Sequence, residues 1–249
     1  MGQGGAPIRL SGENRMARET GGPVYAVEPP PQVVLPVAGG TLLYPVHRIY
    51  CVGRNYADHT REMGGDPERE PPFFFQKNPD NLVTDGRFPF PPASASVHHE
   101  VELVVALAKG GSDIAADHAL RCIFGYAVGI DMTRRDLQDL AKERRRPWEV
   151  AKAFEASAPC GPLQPAATIG HPSRGAITLE VNGRRRQAGD LAEMIWKVPE
   201  IVSHLSGLFA LKPGDLIFTG TPSGVGAVAR GDVMRAHIDT IGDIEVRVA

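Results

Sequence analysis

Two glutamates stand two residues apart at the start of a predicted β-strand, residues 98–107, with the sequence HHEVELVVAL. Because side chains alternate along a strand, Glu100 and Glu102 point to one face, and the apolar residues between them point to the core. Two like charges on a mostly apolar strand repel each other and resist burial, which a divalent cation between them would relieve. Carboxylate oxygens suit Mg²⁺, Mn²⁺ or Ca²⁺. The alternative interpretation is a solvated strand face.

A third acid, Asp131, ends a second apolar run at residues 123–130, which predicts another buried strand. The residues after Asp131 predict a helix that carries Gln138, and acids are common near the start of a helix. Asp131 is therefore either a cap-region acid or a third oxygen ligand beside Glu100 and Glu102.

His59 and Glu62 lie on a short helix predicted over residues 55–63. A spacing of three residues places both side chains on one face, where they can touch. A carboxylate beside a histidine raises the basicity of the imidazole and orients it, as a general base requires. An ordinary surface pair on a charged helix is the alternative.

Two further segments end in groups that can meet a ligand. Lys77 follows the apolar run at residues 71–75, where its amine faces either a cleft or the surface. The segment from Gly220 to Gly226 lacks the Gly-Lys-Ser/Thr of a phosphate-binding loop. It also lacks the following helix that a dinucleotide site needs. Its glycines instead let the backbone approach a ligand closely, and Thr221 adds a hydroxyl.

Composition limits the classes of protein that the chain can represent. It has 249 residues, 42% of them hydrophobic, which is enough for one large domain. We expect a flexible tail over residues 1–23 and a single catalytic domain over residues 24–249. A formal net charge of -2 argues against a nucleic-acid partner. The three cysteines, the missing apolar leader and the missing long apolar run predict a cytoplasmic protein without a membrane partner.

The fold class follows from the turn residues. The chain contains 28 glycines and 22 prolines between short apolar or alternating runs. This pattern favours a mostly β fold with short helices, an α+β arrangement. Asn182-Gly183, between two alternating runs, predicts a tight hairpin.

The order and spacing of these motifs resemble the fumarylacetoacetate hydrolase family from about His47 to the C-terminus. The resemblance rests on the following segments: Gly53-Arg54-Asn55-Tyr56 with His59 and Glu62, Phe75 to Asn78, His99-Glu100-Val101-Glu102, Gly129-Ile130-Asp131-Met132-Thr133, Ala151-Lys152-Ala153-Phe154, and Phe218-Thr219-Gly220-Thr221-Pro222 with Gly224-Val225-Gly226. Within the family, the pattern is most similar to bacterial enzymes that cleave fumarylpyruvate in gentisate breakdown.

The resemblance implies a mixed β-sandwich or β-roll and a homodimer. It implies one Mg²⁺ or Mn²⁺ per chain, with Ca²⁺ as a substitute, held by Glu100, Glu102 and Asp131. His59 and Glu62 match the water-activating pair, and Lys152 matches a lysine near the metal. The residues implied to contact the substrate are Arg54, Lys77, Arg135, Gln138, Gly220 and Thr221.

The implied reaction is hydrolysis of the C–C bond of an acylpyruvate, with fumarylpyruvate, cleaved to fumarate and pyruvate, as the preferred substrate. His59 would take a proton from water, the resulting hydroxide would attack the distal carbonyl, and Lys152 would stabilise the oxyanion. Decarboxylation of oxaloacetate, or hydration or isomerisation of another 2-oxo acid, is the competing activity. A non-catalytic β-rich binding protein is the remote alternative.

Overall fold

The computed structural model of the chain describes residue 23, residues 25–57 and residues 70–249. The chain divides into two compact units, Met1–Gln32 and Val33–Ala249. In the first unit, the described residues form neither helix nor strand, and the predicted tail lies outside the described residues except for Pro23. In the second unit, strands dominate and the helices are short, which confirms the predicted mostly β, α+β fold.

Strands make up most of the regular structure. In chain order they are β1 (Val34–Pro36), β2 (Leu43–Pro45), β3 (Ile49–Gly53), β4 (Phe73–Lys77), β5 (Leu82–Val83), β6 (Arg87–Phe88), β7 (Val97–His99), β8 (Val101–Leu107), β9 (Ile123–Ile130), β10 (Thr133–Arg134), β11 (Ala158–Pro159), β12 (Gln164–Pro165), β13 (Ala176–Val181), β14 (Arg184–Asp190), β15 (Leu216–Phe218), β16 (Gly226–Val228), β17 (Val233–Ile238) and β18 (Gly242–Val248).

The helices lie between these strands. They are α1 (Ala116–Ala119), α2 (Arg135–Glu143), α3 (Glu149–Lys152), α4 (Ala166–Ile169) and α5 (Val198–Leu208), with short 3-10 helices at Pro79–Asn81, Leu120–Cys122 and Leu191–Glu193. Over the described ranges, the structure contains no helix with the length and apolar character needed to span a bilayer.

Two large mixed sheets carry the architecture. The six-stranded sheet has the order β12-β9-β8-β15-β3-β4, and only β15 and β3 run parallel in it. The five-stranded sheet has the order β14-β13-β17-β18-β6. Asn182 and Gly183 turn β13 into β14 with φ angles of 51° and 73°, as the predicted Asn-Gly hairpin requires. A three-stranded sheet, β10-β7-β16, and two strand pairs, β1-β2 and β5-β11, complete the set.

Strand β8 is buried along its whole length, and its two faces line two separate hydrophobic clusters. Val101, Leu103 and Val105 belong to the larger cluster, which extends to β13, β17 and α5. Val104 and Ala106 face the smaller cluster on the other side. Glu102 shares its face with Val104 and Ala106, because residues two apart on a strand point the same way. The predicted alternation is therefore present, but both faces are covered by protein.

The chain passes from one sheet to another at the acids. The run predicted as one strand over residues 98–107 is interrupted at Glu100, which separates β7 from β8. Asp131 similarly separates β9 from the short strand β10. The helix predicted directly after Asp131 starts only at Arg135, because Thr133 and Arg134 pair with β7 instead. Both acids therefore lie where two neighbouring strands leave the six-stranded sheet together.

Candidate active site and metal centre

Three buried carboxylates meet at this crossing point. Asp131 lies opposite Glu100, and its backbone N–H donates to the Glu100 carbonyl at 2.8 Å. Glu102 is the second residue of β8. One carboxylate oxygen from each of the three residues lies within 4.8 Å of the other two. The structure thus brings together the three predicted ligands, and it excludes the solvated strand face, since none of them is more than 4% exposed.

Three buried cations hold two of these carboxylates. The Lys152 ammonium donates to Glu100 Oε2 at 2.7 Å and to Asp131 Oδ2 at 2.8 Å. Lys77 Nζ lies 2.8 Å from Asp131 Oδ1. The Arg135 guanidinium donates to the second oxygen of Glu100. Buried charges need such partners because transfer of an unpaired ion from water is costly.

Lys152 is fully engaged by the protein. Its third hydrogen bond goes to Thr133 Oγ1 at 2.7 Å, so all three ammonium hydrogens have acceptors. Burial by itself lowers the pKa of Lys152, but the carboxylates of Asp131 and Glu100 outweigh burial and raise the pKa above its usual value. Lys152 is therefore a permanent cation beside two of the acids.

Glu102 differs from the other two acids. Its Oε2 accepts the backbone N–H of Gly220 at 2.7 Å, and no described cation lies within ion-pair distance of it. Burial raises the pKa of Glu102 well above its usual range, and the charges of Asp131 and Glu100 raise it further. A divalent cation would supply the missing positive charge, and three carboxylates match the oxygen ligands that Mg²⁺ and Mn²⁺ prefer. The residues present therefore fit such a metal.

The segment after β15 brings backbone and hydroxyl groups to the acids. Gly220 has φ +94°, and a Cβ there would lie 2.7 Å from Asn55 Cβ, so glycine is required on both grounds. The Asn55 side chain donates to the Thr219 carbonyl at 2.8 Å and anchors the segment. Thr221 Oγ1 donates to the Val101 carbonyl, between the two glutamates, at 2.7 Å.

A cleft of about 410 Å³, measured with its open mouth, leads from the surface to the acids. Six of the predicted site residues line it besides the three acids: Arg54, Arg135, Gln138, Lys152, Gly220 and Thr221. Lys77 does not line it. Its ammonium is buried behind the acids, against Asp131 and the Met132 and Lys152 carbonyls. His59 and Glu62 lie outside the described residues.

Sequence reasoning missed Gln187, whose buried side chain ties the five-stranded sheet to the site. Its Oε1 accepts from Val101 N at 3.1 Å and lies 2.8 Å from His99 Nδ1. Its Nε2 donates to Thr221 Oγ1 at 2.8 Å and to the Pro222 carbonyl at 2.9 Å. Gln187 stands in an Arg-rich run of β14 that gives no sign of burial.

Gln187→Leu is expected to lower the free energy of unfolding by about 2–4 kcal/mol. The leucine would leave the buried Val101 N–H and the His99 ring nitrogen without their partner, and each unsatisfied group costs about 1–3 kcal/mol. Urea denaturation measures the loss. Gln76→Leu, at an exposed position on β4, is the matched control and should change stability by less than about 0.5 kcal/mol. Equal effects for the two variants would contradict this role for Gln187.

The remaining missed residues line the outer part of the cleft. Lys142, Trp148 and Phe75 line the cleft, and none of them was predicted as a site residue. For Trp148, the available signal was an aromatic residue one position beyond a basic run, after Pro147. His98, beside the first glutamate, lies outside the carboxylate cluster. Its Nε2 is 3.1 Å from Ser96 Oγ, and burial lowers the pKa of its ring to about 4.

Known proteins are similar to this chain in sequence and in fold. The family profile described as fumarylacetoacetate (FAA) hydrolase C-terminal matches residues 48–249. A fumarylpyruvate hydrolase from Ralstonia sp is 42% identical over 184 residues, covering 74% of this chain and 95% of that protein. The oxaloacetate tautomerase YcgM of Escherichia coli K12 is 41% identical over 204 residues, covering 81% of this chain and 92% of that protein.

Solved structures agree with the sequence matches. The crystal structure of fumarylpyruvate hydrolase from Pseudomonas aeruginosa, in complex with Mn²⁺ and pyruvate, is 52% identical to this chain. It superimposes with a TM-score of 0.89 and covers 90% of this chain and 99% of that one. The profile match spans most of the chain and includes the three acids, Lys152 and the Gly220 segment. The chain therefore belongs to the fumarylacetoacetate hydrolase family.

Proposed function

We propose that the protein is a metal-dependent hydrolase that cleaves the C–C bond of an acylpyruvate, with fumarylpyruvate, split into fumarate and pyruvate, as the preferred substrate. One observation carries the proposal. The buried cluster of Glu100, Glu102 and Asp131 lies at the base of an open cleft. The fold around it is shared, at 52% identity, with a fumarylpyruvate hydrolase crystallised with Mn²⁺ and pyruvate.

Glu100, Glu102 and Asp131 are the residues that would hold Mg²⁺ or Mn²⁺. When bound there, the cation would supply Lewis-acid stabilisation of negative charge on the oxygens of a 2-oxo acid. The protein's part is to hold the three carboxylates in position. Lys77, Lys152, Arg135 and the Gly220 N–H do this by direct contact.

The charge balance of the site favours an anionic substrate. Counted as three anions, the acids balance the three cations that contact Glu100 and Asp131, without a metal. A divalent cation would therefore leave an excess of two positive charges in a buried site. An anionic substrate reduces this excess, which matters most where water does not screen charge.

The chain's own groups then have distinct proposed tasks. Arg135, Gln138 and Thr221 bind the keto-acid end, since they border the acids in the cleft. Lys152 donates to the developing oxyanion. Its hydrogen bond to the neutral Thr133 hydroxyl is the weakest of its three, so it is the one that an oxyanion replaces most easily. Lys77, buried behind Asp131, is assigned to orienting that acid rather than to touching the substrate.

His59 and Glu62 keep the role that the sequence predicts for them. His59 takes a proton from water, and the hydroxide adds to the distal carbonyl. The C–C bond then breaks, its electron pair leaves with the pyruvate unit as an enolate, and protonation of that enolate at carbon gives pyruvate. Glu62 orients the imidazole and stabilises its charge. The homodimer and the cytoplasmic location also stay predictions.

Tautomerisation of oxaloacetate is the second candidate function, because the Escherichia coli relative with that name is 41% identical. Tautomerisation moves a proton within the substrate and consumes no water. It shares with hydrolysis the need for a cationic site that stabilises an enolate. The two activities therefore differ in their requirement for a base that activates water.

The purified enzyme supplied with Mn²⁺ is expected to cleave fumarylpyruvate with a kcat/KM at least about tenfold above that for oxaloacetate tautomerisation. Release of pyruvate and fumarate is measured for the first reaction, and enol–keto conversion for the second. Chelator should remove cleavage and Mn²⁺ or Mg²⁺ should restore it. His59→Ala should bind Mn²⁺ normally but lose cleavage. Cleavage that survives chelation, or a higher kcat/KM for oxaloacetate, would overturn the proposal.

A further inference from the structure

The outer part of the cleft contains groups that the proposed reaction leaves unused. Lys142 and Trp148 line the cleft together with Phe75. The side chain of Lys142 is 26% exposed, whereas that of Lys152 at the inner end is 3% exposed. The cleft therefore has a cation at its buried end and a second cation near its mouth.

Aromatic rings connect the two ends. The Lys152 ammonium lies 5.1 Å from the centre of the Phe75 ring. Phe75 and Trp148 have ring centres 5.9 Å apart. The Lys142 ammonium lies 5.7 Å from the Trp148 ring. A flat, unsaturated chain laid along these rings would contact apolar surface over its whole length.

Two cationic side chains, Arg54 and Lys142, line the outer part of the cleft. The Arg54 guanidinium stands over Phe73, which packs edge-on against Trp148 at 5.4 Å. Burial lowers the pKa of Lys142, and the nearby positive charge of Arg135 lowers it further. Its one described ion pair, with Asp139 at 3.5 Å, involves an acid whose side chain is 60% exposed. Such solvated pairs contribute little, so Lys142 can serve a bound anion as well.

We propose that Lys142, with Arg54 beside it, binds a carboxylate at the far end of the acyl arm, while Phe75 and Trp148 hold the arm between the two ends. This inference rests on the proposed function, because it identifies the acyl group that the cleft accepts. The substrate class is an acylpyruvate whose acyl arm is flat, unsaturated and ends in a carboxylate. An acylpyruvate with a short neutral arm would gain no binding energy from Lys142 and Arg54.

The experiment pairs Lys142→Gln with two substrates that differ at the arm. Fumarylpyruvate has the terminal carboxylate, and acetylpyruvate lacks it. A hydrogen bond to a charged group corresponds to a factor of about 10–100 in affinity. Lys142→Gln is therefore expected to raise KM for fumarylpyruvate by about 10- to 100-fold. The kcat for fumarylpyruvate, and both constants for acetylpyruvate, should stay within about twofold, since the reacting end is untouched.

A binding measurement separates this inference from the proposed reaction. Calorimetric titration in the presence of Mn²⁺ compares 2-oxoheptanedioate with 2-oxoheptanoate, which have equal chain lengths but differ in the terminal carboxylate. Lys142→Gln should weaken binding of the diacid only, by about the same factor as it raises KM for fumarylpyruvate. Arg144→Gln, which removes an exposed cation just beyond α2, is the matched control and should change neither constant. Lys142→Arg should keep most of the diacid affinity.

The possible results separate the terminal-carboxylate site from the proposed reaction. Equal weakening of diacid and monoacid by Lys142→Gln, or no weakening of either, would overturn the terminal-carboxylate site. A wild-type enzyme that binds the diacid in a Lys142-dependent manner but cleaves neither acylpyruvate would overturn the proposed reaction and leave the site supported.

Discussion

Glu102→Gln is expected to abolish binding of Mn²⁺ and with it the acylpyruvate cleavage, while the metal-free protein keeps its fold. Glutamine has the same shape, and its amide oxygen can still accept the Gly220 N–H. Glutamine lacks the negative charge that a divalent cation needs from Glu102, which has no described cation at ion-pair distance. Calorimetric titration with Mn²⁺ should show affinity lower by at least about 100-fold, since a carboxylate ligand binds the metal in its ionised form.

The stability of this variant provides the second readout. A buried carboxylate with no paired cation destabilises the fold, so its neutral analogue should unfold at the same temperature as the metal-free wild type or above it. Glu143→Gln, at the exposed end of α2, is the matched control and should bind Mn²⁺ normally. If Glu102→Gln bound Mn²⁺ as tightly as the control, Glu102 would not be a ligand.

Lys152→Met should have the opposite effect on the metal-free protein. It removes the cation that Glu100 and Asp131 share and leaves two buried carboxylates facing each other. Removing one partner of a buried ion pair costs about 3–5 kcal/mol, and we expect a loss of this size in the free energy of unfolding. Cleavage of acylpyruvate should fall by about 100-fold or more, as it does when one oxyanion donor is lost.

The effect of Mn²⁺ on the melting temperature distinguishes a loss of charge balance from a simple packing defect. Because Mn²⁺ would neutralise the two buried acids that lose Lys152, it should raise the melting temperature of Lys152→Met by more than it raises that of the wild type. Lys212→Met, at an exposed turn before β15, is the control and should behave like the wild type in both measurements. A Lys152→Met protein whose stability matches this control would show that the lysine does not balance the acids.

Much of the local structure was predictable because it depends on neighbouring residues. The alternation of Glu102 with Leu103 and Val104 defines the faces of β8, and the Asn182-Gly183 pair defines a hairpin. The three acids were predicted as a group from strand positions and from the family resemblance, and the structure places them within 4.8 Å. The cleft also contains most of the predicted substrate contacts.

Local patterns did not reveal where a strand changes sheets. Residues 98–107 look like one continuous strand, and the interruption at Glu100 exists because β7 and β10 pair with each other outside the six-stranded sheet. The same pairing delays α2 until Arg135. Two strands that leave a sheet side by side bring Glu100 opposite Asp131. This arrangement cannot be predicted from either stretch of contiguous residues alone.

The sequence therefore accounts for which residues can do chemistry: two acids on one strand face, a third at a strand end, and a glycine-rich segment close by. The tertiary structure decides which charges these acids meet. Lys152 lies 52 positions from Glu100, and Gly220 lies 118 positions from Glu102. Contacts over such separations depend on how sheets pack, whereas alternation and turns depend on adjacent residues. For that reason the two-glutamate strand was predictable from the sequence, but the lack of a cation beside Glu102 among the described residues was not.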